Sequence, residues 1–316
     1  MSGVKARLGG AVAAVERLYF DPVSIHPLVL CRIFLGTILF SCYALYAPHI
    51  EAIWGPHGVT REYLEQLSRV FGISVGPLAL AQDHVWALYA LLLIAAAAFA
   101  VGFMTRLSGL VMLLCHVVFA ESRFHTWGWS PTIMPFIVYV VCSRAGARLS
   151  VDAWRRRRRD PDSPEVETAP GWPLRLIQLH VLAIYGAAAW HRIDDPGWLR
   201  GDVLFEVLTS DVWSRVSFDL HGLINVLRVA TWASWSVELL APFALAWRRT
   251  RTTWVVLLTV LHVGLELGSE LGWWQPLMVS LLVVFWPRGL ASRLVQRIER
   301  ALPGGRSRVN EKKESD

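Results

Sequence analysis

From Leu28 onward the chain alternates long apolar runs with short polar breaks, and the runs are too many to fold into one soluble core. Hydropathy predicts eight helices at roughly 28–47, 84–104, 106–121, 130–143, 173–191, 229–247, 252–268 and 273–287. Several fall short of the about 20 residues that a perpendicular crossing needs, so tilt or flanking Trp and Tyr must complete them. The expected fold class is therefore all-α, a polytopic transmembrane helical bundle of about eight spans. Between the runs, residues 48–83 and 192–228 are of mixed polarity. In "DVLFEVLTSDVWSRVSFDLHGLINVLRV" apolar positions recur at helical spacing, which predicts helices lying at the interface or capping the bundle. Residues 160–171, "DPDSPEVETAPG", read as a Pro-rich acidic linker with no core to join.

Charge fixes an orientation. Arg106, the segment 144–175 with its five arginines Arg155 to Arg159, the turn Arg248 to Arg251 and the C-terminal tail fall on one face. Glu51, Glu62, Glu65 and Asp83, then Glu121, then Asp194 to Asp219, then Glu270 fall on the other. Lys and Arg collect in cytoplasmic loops, so both termini are expected inside. The domain plan is an N-terminal cytoplasmic or interfacial segment at 1–27, a transmembrane domain at 28–287 and a basic, partly disordered cytoplasmic tail at 288–316.

Composition agrees: 54% of the 316 residues are hydrophobic, only 18% are charged, and the mean hydropathy is +0.41. The net charge of +6 is accounted for by basic loops facing anionic lipid, without nucleic acid. The first apolar run lacks a small-residue cleavage site after it and reads as an anchored span. Cys31, Cys42, Cys115 and Cys142 all lie in apolar runs, which speaks against disulfides and zinc-thiolate sites.

An ionisable side chain at membrane depth costs a few kcal/mol, about 2.5–3.5 on insertion scales, so each one inside these runs needs a partner or a task. Arg32 in "LCRIFLG" reads as a snorkelling end residue or the partner of a buried acid. In the fifth run His180 and His191 are three turns apart on one face, about 16 Å along the axis, too far to share a metal. His191 is a candidate proton acceptor at the outer mouth of a cavity, with Arg192 beside it. Glu238 sits in "WASWSVELLAPF" one turn before Pro242, and Arg32 or Arg192 is its expected partner. His262, Glu266 and Glu270 in "LHVGLELGSE" follow one another at four-residue spacing. They form a hydrogen-bond ladder or half of a carboxylate-histidine site, and no second half appears, so no metal is expected. His125 in "ESRFHTWGWSP" belongs to an interfacial aromatic belt and is a further candidate for the same outer cavity. The working site is thus His191 and Arg192, with His125, Glu238 and His262 as weaker members.

Taken in order, "LCRIFLG", "RLSVDAW", "IYGAAAWHRIDDPGWLRG" and "WSVELLAPF" with "LH" about twenty residues on resemble the HTTM (horizontally transferred transmembrane) domain family. Its best-known member is the vitamin K-dependent gamma-carboxylase. In that enzyme a segment of the form "AGxKKLDxxWxxG" supplies the lysine that deprotonates the vitamin K hydroquinone. Here Ala188, Ala189, Trp190, His191, Arg192, Ile193 and Asp194 align with it, followed by Trp198 and Gly201 with one extra residue before the tryptophan. Arg192 occupies the lysine position, and arginine stays protonated in proteins. The resemblance therefore hands base chemistry to His191. The family's Asn-His pair is not matched, since Trp129 and Ser130 stand in that neighbourhood. The carboxylase's large lumenal domain is also missing, so protein gamma-carboxylation is not implied.

Two functions stay open. One is a carboxylase- or oxidoreductase-like membrane enzyme, with His191 as base, acting on a quinone-like or other lipid-soluble molecule in an outward-facing cavity. The other is a non-catalytic binding, assembly or permeation component of the same fold, whose polar residues hold helices together. The expected partners are the lipid bilayer and a lipid-soluble small molecule, and the expected location is a bacterial plasma membrane, crossed several times.

Overall fold

The computed structural model describes residues 10, 13–71, 83–120, 128–216 and 219–302. Fourteen helices are named here among those residues: α1 (His26–Leu45), α2 (Ile50–Trp54), α3 (Val59–Phe71), α4 (Val85–Val101), α5 (Thr105–Ala120), α6 (Trp129–Val141), α7 (Val151–Arg159), α8 (Trp172–His191), α9 (Pro196–Arg200), α10 (Val203–Thr209), α11 (Ile224–Ala246), α12 (Arg251–Gly268), α13 (Trp274–Leu281) and α14 (Leu290–Ala301). Two three-residue strands, β1 (Pro22–Ser24) and β2 (Thr168–Pro170), pair antiparallel.

Among the described residues, two helices are long and apolar enough to cross a membrane: His26–Leu45, and His221–Ala246, which is α11 with its preceding 3-10 turn. A third crossing counts if Trp274–Phe285 and Leu290–Ala301 are taken as one pair, bent by 105°. Helices α4, α5 and α6 are apolar but shorter. Their outward faces carry exposed large hydrophobics such as Ile94 and Leu114, as α11 and α12 do with Phe243 and Val260, the surface that lipid rather than water favours.

Helix α1 lies at the centre, packed on α4, α6, α13 and α14, and α8, α11 and α12 form a second group that follows one against the next. The α1–α4 approach is close because residue 36 is glycine. A Cβ there would stand 2.8 Å from the Ala100 backbone nitrogen. Gly102, at φ +72°, ends α4 in the left-handed conformation and leaves room for Arg32, whose Nη1 would lie 2.8 Å from an added Cβ.

Arg32 is fully buried, yet it is not an acid's direct partner. Its guanidinium donates to the carbonyls of Ala145 (2.7 Å), Arg148 (3.3 Å) and Leu149 (2.5 Å), fastening the α6–α7 turn to α1. Asp152 completes that turn by accepting from the backbone N–H groups of Met104 and Thr105 and from the Thr105 hydroxyl. Cys31, Cys42 and Cys115 are buried free thiols, whereas Cys142, at the end of α6, is exposed.

The acidic stretch 160–171 differs from the expected free linker. Arg148, 4% exposed, draws in Glu165, Glu167 and the α14 residue Glu299, while β2 pairs with β1 and buries Ala169. A buried guanidinium needs counter-charge, and this stretch supplies it. Burial alone would raise the Glu299 pKa, but hydrogen bonds from Arg148 and the Leu149 N–H hold it below the ordinary 4.5. Asp152 is likewise held below 3.8: its burial is outweighed by the Thr105 and Met104 donors.

Two outcomes follow. Glu299→Gln leaves Arg148 with two half-exposed carboxylates and is expected to cost about 1–3 kcal/mol of stability. Because both carboxylates have depressed folded-state values, their stabilisation is complete above the ordinary values and disappears as pH falls through the folded ones. Thermal melts in detergent should therefore fall on acidification below about pH 4.5, with a smaller slope in Glu299→Gln. Gly36→Val should cost about 1–3 kcal/mol in the same assay, since the Ala100 backbone must move.

Candidate site at the C-terminal end of α8

The segment "HRIDDPGW" turns the chain sharply. Helix α8 stops at His191, and Asp195 caps α9 by accepting from the N–H groups of Gly197 (2.8 Å) and Trp198 (3.3 Å), with Pro196 at the first helical position. This returns Trp198 beneath Arg192, whose Cζ sits 4.1 Å from the ring centroid. The Arg192 guanidinium pairs with the Glu238 carboxylate of α11. Glu238 is buried at 7% exposure, and Arg192, not Arg32, is its partner.

Further contacts hold α8 and α11 together around this pair. Trp235 Nε1 donates to the Ala189 carbonyl (3.3 Å), and Gly186 brings α8 within ordinary contact of Pro242. Helix α9 is tied down by Trp232 Nε1 to the Leu199 carbonyl (3.2 Å) and by Asp202, which accepts from Arg200 and Arg228 at 2.9 Å each. Those two arginine hydrogen bonds hold the Asp202 carboxyl below the usual carboxylate range.

About two turns deeper on α8, Tyr185 donates from its hydroxyl to His262 Nε2 of α12 at 2.8 Å, and His262 Nδ1 in turn bonds Gln275 Oε1 of α13. All three side chains are buried, and His262 lies within the electrostatic reach of Arg192. The chain Tyr185–His262–Gln275 thus links three helices below the ion pair.

Of the sequence candidates, Arg192 and Glu238 meet, and His262 lies deeper, bonded to Tyr185 of α8. His191 is exposed at the end of α8, and no hydrogen bond or ion pair reaches it from the described residues. His125 lies outside the described residues. The His262–Glu266–Glu270 ladder does not form. Helix α12 ends at Gly268, His262 turns to Tyr185 and Gln275, and Glu266 pairs with Arg215 (3.1 Å). No group of three His, Cys, Asp or Glu side chains among the described residues is arranged to hold a metal ion. His180 shares its half-buried position with Phe136 and Tyr139 on α6, away from the ion pair.

Sequence reasoning missed Tyr185, Gln275 and a second buried pair. His116 of α5 lies between the Tyr43 hydroxyl (2.8 Å) and the Ser130 carbonyl (3.0 Å). A histidine inside the apolar run "MLLCHVVFA" was the available signal for it.

The HTTM domain profile matches residues 20–288, the greater part of the chain. The chain belongs to the HTTM family. No curated protein and no solved structure matches it. The HTTM match spans both the Arg192–Glu238 pair and the Tyr185–His262–Gln275 chain, and this membrane-associated family agrees with the apolar helices described above.

Tyr185→Phe removes the donor to a buried imidazole and is expected to lower stability by about 1–3 kcal/mol in detergent melts. Gln275→Leu should cost a similar amount, because it removes the acceptor of the His262 Nδ1–H. A loss below about 0.3 kcal/mol in both would mean that this buried chain is not a tie between helices.

Proposed function

We propose that this HTTM protein is a multi-pass protein of a bacterial plasma membrane, crossing it eight times with both termini in the cytoplasm. On this reading residues 1–27 form the inner lead, 28–287 the transmembrane domain and 288–316 the inner tail. The separation of arginine-rich from acidic breaks supports it, since every break then falls on the side its charge prefers.

The outer end of α8 binds a lipid-soluble molecule with a quinone-like, acidic head group, and His191 takes a proton from that head. One observation carries this reading. His191 is an exposed titratable group with no side-chain partner among the described residues, and it adjoins an arginine fixed in place by Glu238 and Trp198. An imidazole is a suitable base, and a fixed guanidinium favours the anion left behind. The cofactor-like partner suggested by resemblance to the carboxylase, a hydroquinone, has this chemistry.

A second reading has its own support: Glu238 already balances Arg192, as in a non-catalytic component whose polar residues serve to join helices.

The full chain in detergent, titrated anaerobically with menadiol, separates the two. Bound anion read by ultraviolet absorbance should fall at least about tenfold in His191→Gln, with melting temperature unchanged, because only the base is removed. Menadiol that does not bind, or binds and ionises equally in His191→Gln, favours the non-catalytic reading.

A further inference from the structure

At the opposite end of α8 the charge balance is reversed. Arg175 stands in the first turn of α8, Arg248 in the α11–α12 turn, Arg251 at the start of α12, and Arg288 in the bend before α14. Two interactions bring them together around one short segment. Arg175 Nη1 donates to Gln178 Oε1 (2.9 Å), whose Nε2 donates to the Val284 carbonyl (2.8 Å). The Arg251 guanidinium lies 6.0 Å from the ring centroid of Phe285, the next residue, and Arg288 follows three residues later. The charges of Arg248, Arg175 and Arg288 all act on Arg251, with no acid beside them among the described residues.

None of the four forms an ion pair among the described residues, in contrast to Arg148 with its three carboxylates. Arg175 Nε is buried without a hydrogen-bond partner among the described residues. Arg251 spends its Nε and Nη2 on the carbonyls of Leu245 and Ala246, which holds its side chain in place. Helices α8, α12 and α14 all begin here with no acidic residue in the first turn and no side-chain cap, so their dipoles add positive potential. Trp247, 60% exposed, flanks the cluster as an interfacial anchor.

Four like charges assembled from four parts of the chain, with an orphaned buried N–H, call for an external anion. We infer that Arg175, Arg248, Arg251 and Arg288 bind the phosphate head group of an anionic phospholipid. The cluster sits at the ends of apolar helices, where a head group rather than a soluble phosphate stands at the required depth, and basic pockets between spans bind such head groups. The site is separate from the α8 outer end, and its test is independent of the proton chemistry proposed there.

The test uses the full chain in detergent, with native mass spectrometry counting bound phosphatidylglycerol against phosphatidylcholine. Arg248 and Arg288 are exposed and make no hydrogen bond among the described residues, so Arg248→Gln/Arg288→Gln should fold normally, which its melting temperature checks. Affinity for phosphatidylglycerol should fall on the order of tenfold in this variant, while an Arg155→Gln/Arg159→Gln control changes it less than about threefold. Equal loss in the control, unchanged affinity in the double variant, or full competition by millimolar inorganic phosphate would each overturn the inference.

Discussion

A charge in an apolar helix has to be met by a partner from another helix, and in this protein that requirement falls on Arg192 and Glu238. The ion pair closes the gap between α8 and α11 where both are surrounded by apolar residues, and the surrounding contacts follow from it. With the guanidinium committed to Glu238, its flat face is left for Trp198, and this sets where α9 lies. His191 is then left at the end of α8 with its ring outside the pair. A stretch that looks like an abrupt polar ending to a greasy helix is therefore the corner where two helices and their cap are joined.

The same requirement recurs with neutral groups. Tyr185, His262 and Gln275 connect α8, α12 and α13, and Tyr43 with His116 connects α1 and α5 to the start of α6. At the end of the bundle that carries α7, Arg32 uses backbone carbonyls in place of a carboxylate, and Arg148 recruits acids from two distant segments. Arg175, Arg248, Arg251 and Arg288, near the starts of α8, α12 and α14, differ from Arg148 and Arg192 in having no carboxylate partner among the described residues. Their lack of counter-charge is the feature that points to lipid.

The helices were legible because apolar runs bounded by charge leave few alternatives, and Glu238 and His262 were legible because an ionisable group in such a run is costly. Partner choice was not. Arg32 and Arg192 are equally plausible counter-ions for Glu238 in one dimension, and only the adjacency of α8 and α11 decides between them. Tyr185 and Gln275 are neutral, so neither marked itself as a group in need of a counter-charge. The acidic stretch 160–171 was misread for a related reason: composition registers its charge but not Arg148, which needs it. The His262, Glu266 and Glu270 spacing suggested a ladder that the end of α12 at Gly268 prevents.

The central claim is that Arg192 and Glu238 act as one unit holding α8 to α11. A double-mutant cycle of Arg192→Ala and Glu238→Ala, read as unfolding free energies of the full chain in detergent, tests it most directly. The account predicts a coupling energy of about 1–3 kcal/mol, with the double variant more stable than the sum of the single losses implies. Losses that add to within about 0.5 kcal/mol would contradict it.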